Sequence, residues 1–267
     1  MDLLRQEGGY QAEKGGRSSK DDEEREKEQV MDLIIEEEVE RTVSELGSAA
    51  DEKRREKAKG YYPTSFHTLG VKVPDQKKVT NSLRKRIKGE PLEERIALAK
   101  ALVDTSVFEC QQTAYELLSK DREALHSLAM SDLYDLRKGL DNWVSVDTFS
   151  ALLAGVAWRE GRISDDTLKG WAASEDRWIR RSSLVCTIAL NQKARGGRGD
   201  VNRTLMVCRL LAEDRDEMVA KALSWALREL SKIDKEPVIG FIEEHRDVLP
   251  KRVLREVGRK LDTGRKN

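Results

Sequence analysis

Residues 174–193 read SEDRWIRRSSLVCTIALNQK, and the pattern in this stretch decides the fold class. Its acidic start favours a helix N-terminus, and the apolar side chains that follow recur at helical spacing. The same kind of start recurs as AEDR at residues 212–215, which is 38 residues further on, and as SKDR at residues 119–122. A period of ~40 residues is typical of HEAT-type repeats, in which two helices form one unit.

The rest of the chain continues this pattern. From residue 91 onwards, apolar-periodic segments of roughly 10–18 residues alternate with short breaks, and no strand signal appears. The predicted helices are 28–46, 74–88, 91–103, 106–119, 121–128, 131–139, 142–160, 164–173, 176–193, 200–212, 216–232, 235–246 and 250–261. The sequence therefore predicts an all-α fold of HEAT-like helical repeats, stacked into a curved solenoid whose concave face suits an elongated partner.

Two segments before residue 91 depart from the helical pattern. Residues 1–27 consist mainly of Gly, Ser, Lys and acidic residues with little to bury, and they are predicted to form a disordered leader. Residues 61–74 contain Pro63, Gly70 and Pro74 and are predicted to be a turn-rich connection, with Pro74 in the first turn of the next helix. Residues 28–267 are then expected to form a single repeat domain.

Composition and charge agree with helices that bury one stripe and expose a charged face. Hydrophobic residues make up 38% of the chain and charged residues 37%, and there are only five prolines. The net charge of zero hides an asymmetry, since residues 1–60 carry −6 and the remainder +6. A basic body permits a nucleic-acid partner without requiring one.

The cysteines and the hydropathy bound the setting of the protein. Cys110, Cys186 and Cys208 are far apart and form no CxxC pair, which argues against a disulfide framework or a zinc site. Cys186 and Cys208 lie among apolar residues, which predicts buried free thiols at these two positions. The lone His67 lies in a loop, where a surface or capping role is expected. No apolar run approaches the ~18 residues that span a bilayer, and the N-terminal residues lack the apolar core of a secretory signal. These features predict a reducing, cytoplasmic location.

Two basic segments allow more than one interpretation. Residues 193–200 form a Gly-rich, basic break with glycines between 195 and 199, either a flexible loop that reaches a phosphate backbone or a plain connection. Residues 251–267 carry seven basic side chains and two acidic ones, either a second phosphate-facing patch or a solvated end.

Three places carry aromatic or charged side chains at helical spacing. Trp143 and Asp147 are four residues apart and Trp225 and Arg228 three apart, so each pair shares a helix face. An indole packs on a sugar or base, and a carboxylate stabilises positive charge beside it. The third place is residues 178–181, where the adjacent Arg180 and Arg181 cannot share a helix face. One of the two arginines is therefore expected to enter the groove and the other to form an outer salt bridge.

The alternative is that these aromatic side chains belong to the core, where indoles contribute a large buried surface. We accept that interpretation for Trp158 and Trp171. It stays open at this point for Trp143, Trp178 and Trp225.

Four motifs in order carry a resemblance to a known family. Residues 61–74, 142–147, 178–181 and 224–232 resemble the AlkD-like DNA alkylation-repair family, and the resemblance covers about residues 50–262. It implies HEAT-like repeats whose concave face grips duplex DNA. The implied activity is that of a monofunctional alkylpurine DNA glycosylase, which excises cationic bases such as 7-methylguanine and 3-methyladenine without a metal or nucleotide cofactor. We expect a monomer.

The resemblance also assigns roles to individual residues. Asp147 corresponds to the catalytic carboxylate. The positions that contact the lesion or the DNA are Trp143, Trp225, Arg181, Arg228 and Tyr61. The chain departs from the family pattern at residues 144–145, where an extra acid is common, and in its acidic leader and Gly-rich loop. These departures affect the expected lesion range and rate more than the reaction class.

Two further hypotheses come from other functional classes. A repeat fold can lose its chemistry and keep its groove, which would leave a non-catalytic binder of branched or damaged DNA. A helical-repeat scaffold for another protein, which would use the acidic leader, predicts no salt-dependent affinity for DNA.

Overall fold

The structure, a computed structural model, describes the backbone of residues 19–264 and the side chains of residues 34–264. The first helix, α1 (Ser19–Ser48), begins nine residues before the predicted start at residue 28. Residues 19–27 of the predicted leader are therefore helical, and residues 1–18 lie outside the described range. The disorder prediction considered only what the segment could bury, whereas its Lys and Glu residues also favour helix.

Helices dominate the described chain. The next ones are α2 (Glu52–Tyr61), α3 (Val73–Arg86), α4 (Leu92–Asp104), α5 (Phe108–Lys120), α6 (Arg122–Ser127) and α7 (Met130–Leu136). A helix predicted over residues 142–160 consists of α8 (Trp143–Phe149), a π-helical turn (Ser150–Ala154) and α9 (Gly155–Arg159). The last ones are α10 (Asp165–Ala172), α11 (Arg177–Asn191), α12 (Val201–Leu210), α13 (Glu217–Leu230), α14 (Glu236–Glu244) and α15 (Lys251–Thr263).

The helices pack in two layers. In the first layer α3, α5, the α8–α9 helix, α11, α13 and α15 follow one another, and each contacts the next. Helices α4, α10 and α12 pack behind α5, α11 and α13. The all-α prediction is confirmed, and the arrangement is consistent with a stack of helical repeats.

The recurrent acidic starts have a structural role. Asp176 caps α11 by accepting a hydrogen bond from the Trp178 amide at 2.7 Å, and Asp121 caps α6. In the third copy the cap of α13 is Asp216, and Asp214 accepts the amide of that residue at 2.8 Å. The side-chain oxygens satisfy amides that the first helical turn leaves without partners.

Several smaller predictions can be compared with the structure. Trp158 and Trp171 are buried and Cys186 and Cys208 are buried free thiols, as expected, and Cys110 is also a buried free thiol. Helix α2 was not predicted. Residues 193–200 are tied to the fold rather than free, because the Gly199 amide donates to the Leu190 carbonyl and Arg159 donates to the Arg195 carbonyl.

Candidate active site

One cleft of about 540 Å³ lies along the first layer and collects five of the six predicted site residues. Its lining comprises Trp143, Asp147, Arg181, Lys221, Trp225, Arg228, Glu229, Lys232, Arg252, Glu256 and Lys260. The sixth predicted residue, Tyr61, lies beside the cleft against Trp143. The lining holds six basic and three acidic side chains, so it favours an anionic partner.

Asp147 and Arg181 form the best-defined pair in the cleft. Arg181 donates from Nε to Oδ1 of Asp147 and from Nη2 to Oδ2, both at 2.8 Å, in a bidentate arrangement. Its remaining nitrogen, Nη1, donates to the Met218 carbonyl at the start of α13. The arginine is 5% exposed and joins three helices, so it fixes the carboxylate in one orientation.

The adjacent arginine faces the other way. Arg180 donates to the Asp214 carboxylate at 2.7 Å and to the carbonyls of Ser174 and Glu175. The structure thus separates the two arginines as their spacing predicts, one in the cleft and one in an outer ion pair.

Burial and Arg181 act on Asp147 in opposite directions. Burial raises the pKa of Asp147 above its ordinary value, and the hydrogen bonds and positive charge of Arg181 limit that rise. Because an arginine is always protonated in proteins, Arg181 favours the ionised form of this carboxylate and offsets part of the effect of burial.

Trp143 is held at the edge of the cleft by Tyr61. The indole Nε1 donates to the Tyr61 carbonyl at 3.0 Å, and the two rings meet edge to face with centroids 5.2 Å apart. Tyr61 is itself 67% exposed. Its ring is therefore available to a partner, while its backbone orients the tryptophan.

The connection after Tyr61 is fixed by two carboxylates that sequence reasoning missed. The buried Glu109 accepts the amides of Leu69, Gly70 and Val71 at 2.7 to 3.2 Å. Asp141, next to the α8 cap, accepts the Ser65 amide at 2.5 Å. Burial opposes ionisation of Asp141, but hydrogen bonds led by Ser65 lower its pKa. Glu109 is a lone acid at the start of α5, and the sequence gives no signal that it fixes this connection.

Gly70 allows the connection to pass close to α2. Its φ is +79°, and a Cβ there would lie 2.4 Å from the Asp51 carbonyl oxygen. Only glycine fits this left-handed position, which explains why Gly70 is found at this point of the connection.

The far wall of the cleft is formed by α13 and α15. Arg228, buried, donates to Oε2 of Glu256 at 2.6 Å and also to the Ser224 hydroxyl. That hydroxyl donates to the same Glu256 oxygen at 2.8 Å, and Arg252 donates to Oε1 at 2.9 Å. Burial opposes ionisation of Glu256, but these three partners together lower its pKa. The half-buried Trp225 lies on α13, the helix that also contains Arg228.

Sequence reasoning placed Arg228 here but missed Glu256 and the surrounding lysines. The available signal was the basic segment 251–267, of which Arg252, Glu256 and Lys260 line the cleft at helical spacing.

Within residues 34–264, His, Cys, Asp and Glu side chains do not gather in any group of three that could hold a metal ion. In the same described part, no helix has the length and apolar character to cross a membrane.

The fold and the cleft define an all-helical protein with a cationic groove around a fixed carboxylate. The family described as DNA alkylation repair enzyme matches residues 42–261, and the chain belongs to that family. The resemblance expected over residues 50–262 is thus confirmed. A comparison with curated proteins gave no match.

Among solved structures, the chain is similar to a "Predicted DNA alkylation repair enzyme from Enterococcus faecalis". The match has a TM-score of 0.64 and 19% sequence identity, and it covers 80% of this chain and 97% of the other. At this identity the likeness establishes a shared fold.

Proposed function

We propose that this protein is a DNA glycosylase that hydrolyses the N-glycosidic bond of cationic alkylated purines, such as 7-methylguanine and 3-methyladenine, in duplex DNA. The observation that carries the proposal is the carboxylate of Asp147, held by Arg181 in a cationic cleft that two indoles also line. The family supports alkylation repair, and the cleft supports this particular chemistry.

The proposed reaction uses the positive charge of the lesion. Alkylation makes the purine a cation, so the electron pair of the breaking C1′–N bond neutralises the base as it leaves. The sugar gains oxocarbenium character, which a fixed carboxylate at Asp147 stabilises. Water then forms the new C1′–O bond, and its proton passes to the carboxylate or to solvent. Water is the only co-reactant.

The two indoles and the basic side chains have separate roles in this proposal. Trp143 and Trp225 offer π faces to the cationic base and the sugar, worth on the order of 1–2 kcal/mol each when desolvated. Lysines and arginines of the lining, together with Tyr61, would hold the phosphate backbone without reading sequence. Arg181 orients Asp147, and Arg228 is oriented by Glu256.

A non-catalytic binder of damaged or branched DNA remains the second candidate. Arg181 bonds both oxygens of Asp147, and this favours a purely structural ion pair. Each carboxylate oxygen has a second lone pair, however, so the pair also leaves acceptors for an oxocarbenium ion or a water molecule. DNA binding alone therefore does not separate the two candidates, whereas base release does.

The deciding experiment replaces Asp147 by Asn. We expect Asp147→Asn to release 7-methylguanine from methylated duplex DNA at least ~100-fold more slowly than the parent, since a preorganised charge is lost. DNA affinity should change little and should fall with salt in both proteins.

A matched control is Asp166→Asn. Asp166 is an exposed acid on α10 whose partner is Lys169 at 2.8 Å, so its loss should leave base release unchanged. Parent protein that binds methylated DNA and frees no base would contradict the glycosylase proposal and favour the binder. Unchanged release by Asp147→Asn would remove the role of this residue.

A further inference from the structure

The π-helical turn that follows Asp147 changes which side chains face α11. The Gly155 amide donates to the Ser150 carbonyl, five residues earlier, instead of four. A π turn of this kind accommodates one extra residue within an α-helix, and such turns are frequent at functional sites.

The helix containing the π turn is fixed from two sides. On one side Ser145 of α8 donates to Oε1 of Gln111 on α5 at 2.5 Å. On the other, Gly155 packs so closely on α11 that a Cβ would lie 2.6 Å from the Cys186 carbonyl oxygen and 2.9 Å from Cβ of Ala189. Asp147 lies between these two contacts and must face α11 to meet Arg181.

A regular α-helix would align the two contacts with α11 poorly. Asp147 and Gly155 are eight residues apart, which at ~100° per residue leaves them about 80° out of line. When the π turn absorbs one residue, the effective separation is seven, and the misalignment falls to about 20°. Ser150, at the start of the turn, also meets α11, with its hydroxyl 2.6 Å from that of Ser182.

We propose that the π turn Ser150–Ala154 and the glycine that follows it are positioning elements for Asp147. The extra residue brings Asp147 and Gly155 to the same side of the helix, so that Arg181 reaches both carboxylate oxygens while Gly155 contacts the α11 backbone. Their catalytic consequence rests on the proposed glycosylase activity, but the positioning itself does not.

The first test is Gly155→Ala, with Gly170→Ala as the matched control. Both glycines are helical, so alanine meets no φ strain, but a Cβ has nothing within 4 Å at Gly170. We expect Gly155→Ala to reduce base release by roughly 100-fold, the scale of a 1 Å misplacement, and to retain DNA binding. Gly170→Ala should keep the parent rate.

The pH profile distinguishes positioning from general destabilisation. Arg181 opposes the rise that burial causes in the pKa of Asp147. When the pair is loosened, the acid limb of the pH–rate profile for base release should therefore move to higher pH. A lower melting temperature with an unshifted limb would overturn the proposal. The milder Ser150→Ala, which loses the hydroxyl contacts with Ser182 and Cys186, should shift the limb in the same direction and serves if Gly155→Ala fails to fold. Its control is Ser183→Ala, whose hydroxyl bonds its own helix at the Arg180 carbonyl.

A double-mutant cycle tests the positioning without any activity. If the turn aligns Asp147, the change in melting temperature caused by Asp147→Asn should shrink when Ser150→Ala or Gly155→Ala is already present. Additive effects would overturn the positioning proposal even in an active enzyme. Coupled effects in a parent that releases no base would uphold it and contradict only the glycosylase activity.

Discussion

Two carboxylates line the same cleft, Asp147 on α8 and Glu256 on α15, and each accepts hydrogen bonds from a buried arginine. Their side chains are 18% and 20% exposed, yet the pKa of Asp147 is raised and that of Glu256 is lowered. Surface exposure alone does not separate them, because Asp147 lies deeper in the protein and burial acts more strongly on its pKa. Within residues 34–264 Asp147 has a single arginine, whose effect on the pKa is smaller than that of burial. At Glu256 two arginines and the Ser224 hydroxyl together outweigh burial.

This comparison assigns different tasks to the two walls of the cleft. An acid with a single partner keeps acceptor capacity for a cation that enters the cleft, as the proposed chemistry requires of Asp147. An acid surrounded by donors is engaged in holding them, as Glu256 holds Arg228 and Arg252. Substitutions on the two walls should therefore have unequal effects.

The largest difference between the two walls is expected in the free energy of unfolding when Arg181 or Arg228 is replaced by alanine. Arg181→Ala leaves Asp147 without its only charged partner within residues 34–264, and removal of one member of a buried pair costs about 3–5 kcal/mol. Arg228→Ala leaves Glu256 with Ser224 and Arg252, so we expect a smaller loss of about 1.5–3 kcal/mol, the scale of a hydrogen bond to a charged group. Urea unfolding at neutral pH measures both.

A double variant tests whether the stability lost in Arg181→Ala comes from the uncompensated charge of Asp147. Asp147→Asn in the Arg181→Ala background removes the uncompensated charge and should recover part of the stability. Equal losses for the two arginine variants, or no recovery, would contradict the distinction between the walls.

The pH dependence of stability should have opposite slopes on the two walls. The pKa of Asp147 is raised above 3.8. Its contribution to the free energy of unfolding is therefore fully present below that pH and is lost as pH rises through the raised pKa. The pKa of Glu256 is lowered below 4.5, so its contribution is present above that value and is lost as pH falls through the lowered pKa.

Melting temperatures of parent, Asp147→Asn and Glu256→Gln between pH 3 and 7, about the range in which carboxyl groups titrate, check these signs. The advantage of the parent over Asp147→Asn should shrink as pH rises, and its advantage over Glu256→Gln should grow. Parallel curves for the two variants would contradict the opposite directions of the two pKa shifts.

The smallest effect concerns the two indoles. Trp143→Phe loses the hydrogen bond to the Tyr61 carbonyl, whereas the Trp225 indole has no hydrogen-bond partner within residues 34–264. We expect Trp143→Phe to cost about 1 kcal/mol more in unfolding free energy than Trp225→Phe. A cost as large for Trp225→Phe would mean that the Tyr61 contact does not orient Trp143.

The fold could be predicted because its signals are local. Apolar residues at helical spacing and acidic caps such as Asp176 act within a few residues, so helix bounds from residue 73 onwards agree to within a few positions. The prediction was wrong for residues 19–27, which contain good helix formers but little to bury. It missed α2 for a similar reason, since that helix is charged and buries only Ala58.

The fold brings together the residues at which a spacing and a family motif coincided, whereas the supporting residues were not predicted. The resemblance named Asp147 and Arg181, which the fold brings together. It did not name Glu109 or Glu256, whose partners come from distant segments. A carboxylate in a charged chain looks the same in sequence whether it faces solvent or fixes a loop.

The sequence by itself determined the helices, their caps and the pairing of an indole with an acid on one face, because these depend on neighbours within one or two turns. Only the tertiary structure decided that Arg181 meets both oxygens of Asp147 and that three partners surround Glu256. It also placed a π turn where a regular helix was predicted, because two packing partners constrain the same helix. Apart from the contact between Arg252 and Glu256, which lie four residues apart on α15, the contacts of these two carboxylates join different helices, and their geometry depends on how whole helices pack.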